Sequence, residues 1–167
     1  PTLLTTMGIA CYGPLAASAL RNTNVKIYYN KIHHLYGDGS IIVERKVDGG
    51  EIYNNTCYGA TPGPLTYGAA VSVRTDNVSN VVIKNNIGVD TGTTGLEVGS
   101  LASVTSCENN CWFQSGATGT VFVEAPTSTQ YHSTDQAAYK AATGFDDAGL
   151  WADPLLVDAA ALDFTLQ

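Results

Sequence analysis

The chain has 167 residues, enough for one domain with a real core and too few for two ordinary domains, so we expect a single domain over residues 1–167. Its 15 acidic side chains outnumber the 8 Lys and Arg residues, for a net charge of −7. Nucleic acids and anionic membranes require clustered cations, so these scattered charges argue against both as partners. No apolar run approaches the roughly 20 residues of a membrane-spanning helix, and the first residues do not predict a signal peptide.

A segment built around asparagine recurs along the chain. Its four clearest copies are KIYYNKI (26–32), EIYNNTC (51–57), VIKNNI (82–87) and SCENNC (106–111). Each copy is followed by a second apolar strand, and these strands align as Ile41/Val43, Val71/Val73, Leu96/Val98 and Val121/Val123, at spacings of 30, 25 and 25 residues. A period near 25 residues, made of short strands between polar turns, predicts a β-solenoid whose stacked coils share one core over about residues 1–125.

The repeated asparagines predict a structural ladder. The anchor residues of the four copies are Asn30, Asn55, Asn86 and Asn110. Side-chain amides stacked at the ~4.8 Å strand spacing hydrogen-bond to one another and to the backbone of the chain corners. We therefore assign these asparagines no catalytic role.

Small apolar residues after the asparagines predict a core column, composed of Cys11, Ile32, Cys57, Ile87 and Cys111. A free cysteine packs as a small hydrophobe, so three of the four cysteines are predicted core residues. A disulfide between Cys107 and Cys111 is not expected, because four strand residues at ~3.3 Å each exceed its reach. The cysteines also lack zinc-ligand spacing, so neither a metal site nor a cofactor is predicted.

The pattern changes after Ala125. Ser133 or Thr134 is a predicted cap for a helix over about residues 135–143, and Gly144 is its predicted stop. The segments WADPLLVD (151–158) and LDFTLQ (162–167) predict two short strands that continue the coil. The helix and closing strands thus occupy about residues 130–167, with no evident capping element after the last strand.

The copies VVIKNNI and EIYNNTCYG, together with the tail STDQAAYKAATGFDDAGLWADPLLVDAAALDFTLQ, resemble the pectate-lyase-like superfamily. The resemblance implies an all-β fold, a right-handed parallel β-helix with one short helix near the C-terminus. It also implies a secreted or cell-surface protein. The lyase and hydrolase motifs of the superfamily do not carry over residue by residue, so the resemblance identifies a fold rather than an activity.

One position past the predicted core column, strand alternation turns the side chain outward. This position holds Tyr12, His33, Tyr58 and Trp112, with Gly88 as the exception. Exposed ring faces at strand spacing suit a sugar-binding surface, because the C–H face of a pyranose packs against them. The alternative is a ring stack that stabilises the strands or contacts a neighbouring chain.

Outward positions of the second strands place Glu44 and Arg74 on adjacent coils, with Glu97 on the next coil. One interpretation is an exposed cross-strand ion pair between Glu44 and Arg74. The other is a carboxylate pair around Arg74 that acts as an acid/base centre on a glycoside or uronate.

The loop HHLYGDGS (33–40) brings His34 close to Asp38 in sequence. A histidine beside a carboxylate predicts a proton shuttle or a metal-holding pair, whereas GDGS also suits a simple turn. Asp90, in GVDTGTTG, has the same two interpretations.

Two classes of function therefore stay open. The first is binding or processing of an extracellular polysaccharide, with a hydrolase or a plain binder favoured over a lyase because the cations that neutralise a uronate are sparse. The second is a non-catalytic structural module, such as a segment of a fibre, tailspike or adhesin, that self-associates through uncapped solenoid ends. A groove that gathers titratable groups with the rings of Tyr58 and Trp112 favours the first class. Rings buried at contacts favour the second.

Overall fold

The computed structural model describes residues 7–14, 19–37, 39–62, 68–74, 77–115, 119–124, 127–161 and 163–167. These residues form short, mostly parallel strands and one α-helix, α1 (Gln136–Thr143), so the all-β prediction is confirmed. In chain order the strands are β1 (Met7–Tyr12), β2 (Asn22–Tyr28), β3 (Lys31–His33), β4 (Tyr36–Gly37), β5 (Gly39–Glu44), β6 (Val47–Tyr53), β7 (Thr56–Pro62), β8 (Ala69–Val73), β9 (Val81–Lys84), β10 (Ile87–Thr91), β11 (Thr94–Val98), β12 (Val104–Glu108), β13 (Cys111–Phe113), β14 (Thr120–Glu124), β15 (Thr129–His132), β16 (Leu156–Asp158) and β17 (Asp163–Leu166).

Three sheets organise most of these strands. Parallel pairing gives the order β1-β5-β8-β11-β14 in sheet A, β2-β6-β9-β12 in sheet B and β3-β7-β10-β13 in sheet C. From β2 onward the chain passes through sheets B, C and A in turn and returns to each sheet one strand further along. We call each such set of three strands a rung. The arrangement is compatible with a β-helix-like fold.

The chain corners between sheets B and C depend on residues in the left-handed conformation. The corner residues Tyr29, Asn54, Asn85 and Asn109 have φ angles of 57°, 55°, 54° and 56°. Asparagine tolerates this region better than most side chains, which accounts for three of these four positions. The residue after each of them is a ladder asparagine.

The predicted asparagine ladder is confirmed. Nδ2 of Asn30 donates to Oδ1 of Asn55 at 2.9 Å. Asn55 bonds in the same way to Asn86 at 2.9 Å, and Asn86 to Asn110 at 3.0 Å. The backbone N–H of each donor residue bonds to the same oxygen. The ladder therefore has a direction, and it ends where Asn110 donates to Oδ1 of Asp146 at 2.8 Å.

The core column of sheet C differs from the prediction by one residue in the later rungs. The registered inward residues are Ile32, Cys57, Gly88 and Trp112, each two positions after a ladder asparagine. Ile87 and Cys111 are one position too early and are partly exposed, so their prediction as core residues is wrong. Gly88 is required because a Cβ there would lie 2.7 Å from Cβ of Ala70 and 2.8 Å from Cε3 of Trp112.

All four cysteines are free. Cys57 is buried in the core as predicted. Cys11 is partly buried and packs against the core. Cys107 is also buried in the core, which the sequence did not predict. Burial raises the pKa of the Cys57 thiol to about 12. Burial, with the charge of Asp146, raises the pKa of Cys107.

The far end of the core is closed by β15, which pairs antiparallel with β14, and by α1. The fully buried ring of Tyr139 on α1 lies 4.9 Å from the Phe122 ring and 4.8 Å from the Trp151 ring. The predicted helix is confirmed and ends at Gly144 with φ 69°. Its N-cap position is Asp135, and the predicted cap at Ser133 or Thr134 is wrong.

Two predictions about the last strands are also wrong. The predicted alignment paired Leu96 with Val121 and Val98 with Val123. In the structure Leu96 pairs with Phe122 and Val98 with Glu124, a shift of one residue. The shift turns the larger Phe122 ring inward, where it packs against Tyr139 at the end of the core. β16 and β17 pair antiparallel with each other and do not continue the parallel winding.

Candidate functional site

A line of polar side chains crosses the outward face of sheet A. Nη1 of Arg74 lies 3.3 Å from Oε2 of Glu44, which confirms the predicted contact between adjacent rungs. Nε of Arg74 donates to Oγ of Ser72 at 3.3 Å, and that hydroxyl donates to Oε2 of Glu97 at 2.6 Å. The structure thus connects Glu44, Arg74 and Glu97 through Ser72.

This line is internally paired and largely buried. Ser72 is fully buried, and Glu97 is 8% exposed. Glu44 also contacts Nε of Arg45 at 3.1 Å, so two guanidinium groups compensate its charge. Each carboxylate oxygen of Glu44 is thus engaged by a guanidinium group. The geometry fits an ion pair between Glu44 and Arg74, but the pair is partly buried rather than exposed as predicted. The acid/base role of Glu44, Arg74 and Glu97 stays a prediction.

The four predicted sugar-binding rings do not share one face. Tyr12 lies on β1 in sheet A, with the guanidinium carbon of Arg45 5.3 Å from its ring centroid. Trp112 is 1% exposed inside the core. His33 and Tyr58 alone of the four are in register on sheet C. The prediction of a common ring surface is wrong. A one-residue slip in the count moved Trp112 to the opposite face of sheet C, and Tyr12 belongs to a strand of another sheet.

The outward column of sheet C is composed of His33, Tyr58, Val89 and Phe113. These residues lie three positions after the ladder asparagines. The sequence prediction missed Phe113 because it counted residues from the predicted core column and so placed Trp112 in the outward column. Counting every rung from its ladder asparagine would have identified Phe113 from the sequence.

Trp112 instead binds a buried carboxylate. Its Nε1 donates to Oδ2 of Asp146 at 3.0 Å, and Asp146 is fully buried. The same oxygen accepts from the Tyr139 hydroxyl and the Cys107 thiol, both at 3.4 Å, while Oδ1 accepts from Asn110. Burial, with the charges of Cys107 and Asp146, raises the pKa of Tyr139. Asp146 therefore terminates the ladder, a structural role.

The two histidines of the 33–40 loop contact each other. Their Nδ1 atoms are 3.2 Å apart, and His34 presents its ring edge-on to Tyr58 at 5.7 Å. Asp38 lies outside the described residues. The proton-shuttle role of His34 and Asp38 thus stays a prediction.

Exposed rings lie on sheet B, where the sequence did not place them. Tyr28 and Tyr53 stack with centroids 5.0 Å apart and an interplanar angle of 2°. Tyr29, 72% exposed, meets both rings edge-on. Stacking occupies one face of each ring, and Lys84 Nζ lies 5.8 Å from the Tyr53 centroid.

A cavity of about 340 Å³ lies between the outward face of sheet C and residues 150–167, which we call the closing segment. We call this cavity the groove. Sheet C and the loop after it contribute Tyr58, Val89, Asp90, Phe113 and Ser115 to its lining. The closing segment contributes Asp153, Leu156 and Ala159. The groove thus combines aromatic and aliphatic surface with two carboxylates.

Both groove carboxylates are held by backbone N–H groups. Oδ1 of Asp90 accepts from Ser115 N at 2.6 Å, and Oδ1 of Asp153 accepts from Leu155 N at 2.9 Å. These are the hydrogen bonds of both side chains with the described residues, so each has an Oδ2 without a protein donor there. The lining includes no Lys, Arg or His among the residues that the structure describes. The carboxylates are therefore positioned but not neutralised.

The closing segment is fixed to sheet C at both ends of the sheet. Near the fourth rung, Trp112 N donates to the carbonyl of Leu150 at 2.9 Å. Near the first two rungs, the buried Phe164 ring lies 6.0 Å from both His33 and Tyr58, with Lys31 Nζ 5.8 Å from its centroid. These contacts fix the segment that supplies one wall of the groove.

Comparisons with known protein families, curated proteins and solved structures gave no match for this chain. Within the described ranges, no three or more His, Cys, Asp or Glu side chains are grouped so as to hold a metal ion. None of the helical residues described forms a helix long and apolar enough to cross a membrane. A function for the chain must therefore be argued from its own residues.

Proposed function

We propose that this chain is a right-handed parallel β-helix of the pectate-lyase-like superfamily, secreted or held at the cell surface, that binds an extracellular saccharide in the groove. One observation carries the proposal: the rings of Tyr58 and Phe113 and the carboxylates of Asp90 and Asp153 line one cavity of about 340 Å³. Small-molecule pockets start at roughly 300 Å³, so this volume suits a single sugar unit of a longer chain.

The lining matches the two kinds of surface that a sugar presents. The C–H faces of a pyranose pack on aromatic rings such as Tyr58 and Phe113. Its hydroxyl groups donate to carboxylate oxygens, and Oδ2 of Asp90 and of Asp153 has no described protein donor. Hydrolysis would use these two carboxylates as an acid/base pair. Binding requires only the contacts described, and binding is the function proposed.

The test is retardation of the protein in native gels that contain one of a panel of neutral, acidic and amino polysaccharides. We expect at least one polysaccharide to retard the wild-type protein and Phe113→Ala to migrate freely. Tyr29→Ala, which removes an exposed ring outside the groove, is the matched control and should be retarded like wild type. Migration of the wild type unaffected by every polysaccharide, or unchanged retardation of Phe113→Ala, contradicts the proposal. Release of reducing ends in the same samples would show that the protein hydrolyses the polysaccharide as well as binding it.

The first rung favours a second candidate, a structural module that associates with another β-strand segment. Tyr28 and Tyr29 are exposed there. Oδ1 of Asn30 accepts no hydrogen bond from the described residues, whereas Oδ1 of Asn55 accepts two. Sedimentation velocity over a wide range of protein concentration tests this candidate. Association that Tyr29→Ala abolishes supports it, and a monomer at every concentration excludes self-association.

A further inference from the structure

We infer that the groove selects ligands that carry a protonated amine, so that among saccharides it prefers amino sugars to neutral or acidic ones. This inference rests on the proposed function of the groove and specifies its ligand class. It depends on three features of the lining: its charge, the hydrogen bonds still open to its carboxylates, and the surroundings of its rings.

The charge of the lining disfavours an acidic sugar. Asp90 and Asp153 are its ionisable groups other than the Tyr58 phenol, and no described cation lines the groove to compensate them. A uronate in this cavity would bring a third carboxylate close to two others, and the described lining contains no Lys, Arg or His to pair with it. An uncompensated anion is costly to remove from water, so acidic sugars should be excluded.

The open hydrogen-bonding positions favour an ammonium group. Each Oδ1 is occupied by a backbone N–H, at 2.6 Å for Asp90 and 2.9 Å for Asp153. Each Oδ2 accepts from none of the residues described and is left to accept from a ligand. An ammonium group has three donors and no acceptor, and its bonds to carboxylates are charge-assisted. A neutral hydroxyl makes the same contact with about half the strength.

No described Lys or Arg stacks on the rings of the groove, in contrast to the rings of Tyr12, Tyr53 and Phe164. Arg45 lies 5.3 Å from the Tyr12 ring, and Lys31 lies 5.8 Å from the Phe164 ring. No described Lys or Arg lies over Tyr58 or Phe113. A ring face attracts a cation most strongly when the site is shielded from water. The groove thus offers two ring faces and two carboxylates to a cation that the described protein does not supply.

The test is calorimetric titration with glucosamine oligomers, with N-acetylglucosamine oligomers of equal length and with oligogalacturonate. The titration is run at about pH 5.5, where an amine of ordinary pKa carries its proton. We expect the amine form to bind at least about 10-fold more tightly than the acetylated form, the ratio that one charge-assisted hydrogen bond supplies. Oligogalacturonate should not bind.

The variants Asp90→Asn and Asp153→Asn identify the groups that recognise the amine. Both keep an Oδ1 that accepts the backbone N–H, so the local structure is retained. Each should remove most of the preference for the amine form, whereas Asp147→Asn, an equal charge change at an exposed position outside the groove, should not. The inference is wrong if both oligomers bind equally, which leaves saccharide binding intact, or if the variants keep the preference. Absence of binding by every oligomer contradicts the inference, and the proposed function is contradicted as well only if no polysaccharide of the gel panel retards the protein.

Discussion

The carboxylate at the end of the asparagine ladder and the carboxylates of the groove have opposite surroundings. Asp146 is fully buried and accepts from five donors on Cys107, Asn110, Trp112 and Tyr139. Asp90 and Asp153 each accept from one described donor and line a cavity. A carboxylate whose acceptor positions are filled by the protein serves stability, and one with open positions is available to a ligand. This contrast fits a stabilising role for the closed end of the core and agrees with the ligand binding that we propose for the groove.

The largest effect on stability is expected from Asp146→Ala. The substitution leaves Nε1 of Trp112 and Nδ2 of Asn110 buried without their acceptor, at a cost of about 3–5 kcal/mol in the free energy of unfolding. Urea denaturation measures it. Asp147→Ala, which removes the exposed neighbouring carboxylate, should cost less than about 0.5 kcal/mol. A loss below about 1 kcal/mol for Asp146→Ala would show that the closed end does not depend on this acid.

The interior thiols should destabilise the protein at alkaline pH. Burial raises the pKa of Cys57 from 9.0 to about 12, so the folded state keeps a proton that the unfolded state loses. The stability that depends on this proton is fully present below about pH 9. Above that, the free energy of unfolding falls by up to about 1.4 kcal/mol per pH unit as the pH rises toward 12. Urea denaturation at about pH 8 and about pH 10 should show a smaller alkaline loss for Cys57→Ala than for wild type. Equal losses would contradict the expected titration.

A smaller effect is expected from the charged line of sheet A. Arg74→Met removes one partner of the partly buried Glu44, which keeps its contact with Arg45, and should cost about 1–2 kcal/mol. Lys26→Met breaks the exposed pair with Glu51 and is the matched control, with an expected cost below about 0.5 kcal/mol. Equal costs in thermal or urea unfolding would mean that the sheet A line is no more than a surface ion pair.

The smallest effect on stability is expected in the groove itself. Asp153→Asn keeps an oxygen for Leu155 N and removes an exposed charge, so the free energy of unfolding should change by less than about 0.5 kcal/mol. Saccharide binding, measured on the same preparation, should weaken about 10-fold or more. A stability loss as large as that of Asp146→Ala would show that Asp153 stabilises the fold as Asp146 does, and the distinction between the two regions would be removed.

The parallel strands and the ladder followed from the sequence because their cause is local. An asparagine at each corner, repeated with nearly constant spacing, specifies both the turn and the stacking of the amides. The contact between Glu44 and Arg74 followed from the same alignment. The helix was recognisable from its composition and from Gly144 at its end.

The groove did not follow from the sequence for two reasons. A slip of one residue in the count from the ladder asparagines exchanged Phe113 for Trp112 in the outward column. The second reason is not local. The wall with Asp153 and Leu156 is formed by a segment whose position depends on Phe164 packing near Tyr58, more than 100 residues earlier in the chain. Asp146 was missed for the same reason, since its ladder partner Asn110 is 36 residues away.

The most direct test of the groove as the binding site is a titration of ¹⁵N-labelled protein with glucosamine oligomers, followed by amide chemical shifts. We expect the largest shifts at the groove residues Asp90, Ser115, Asp153 and Leu156. Amides of β5, β8 and β11 in sheet A should stay unchanged. Saturable shifts centred on sheet A or on Tyr28 and Tyr29, with the groove amides unmoved, would contradict the assignment of binding to the groove.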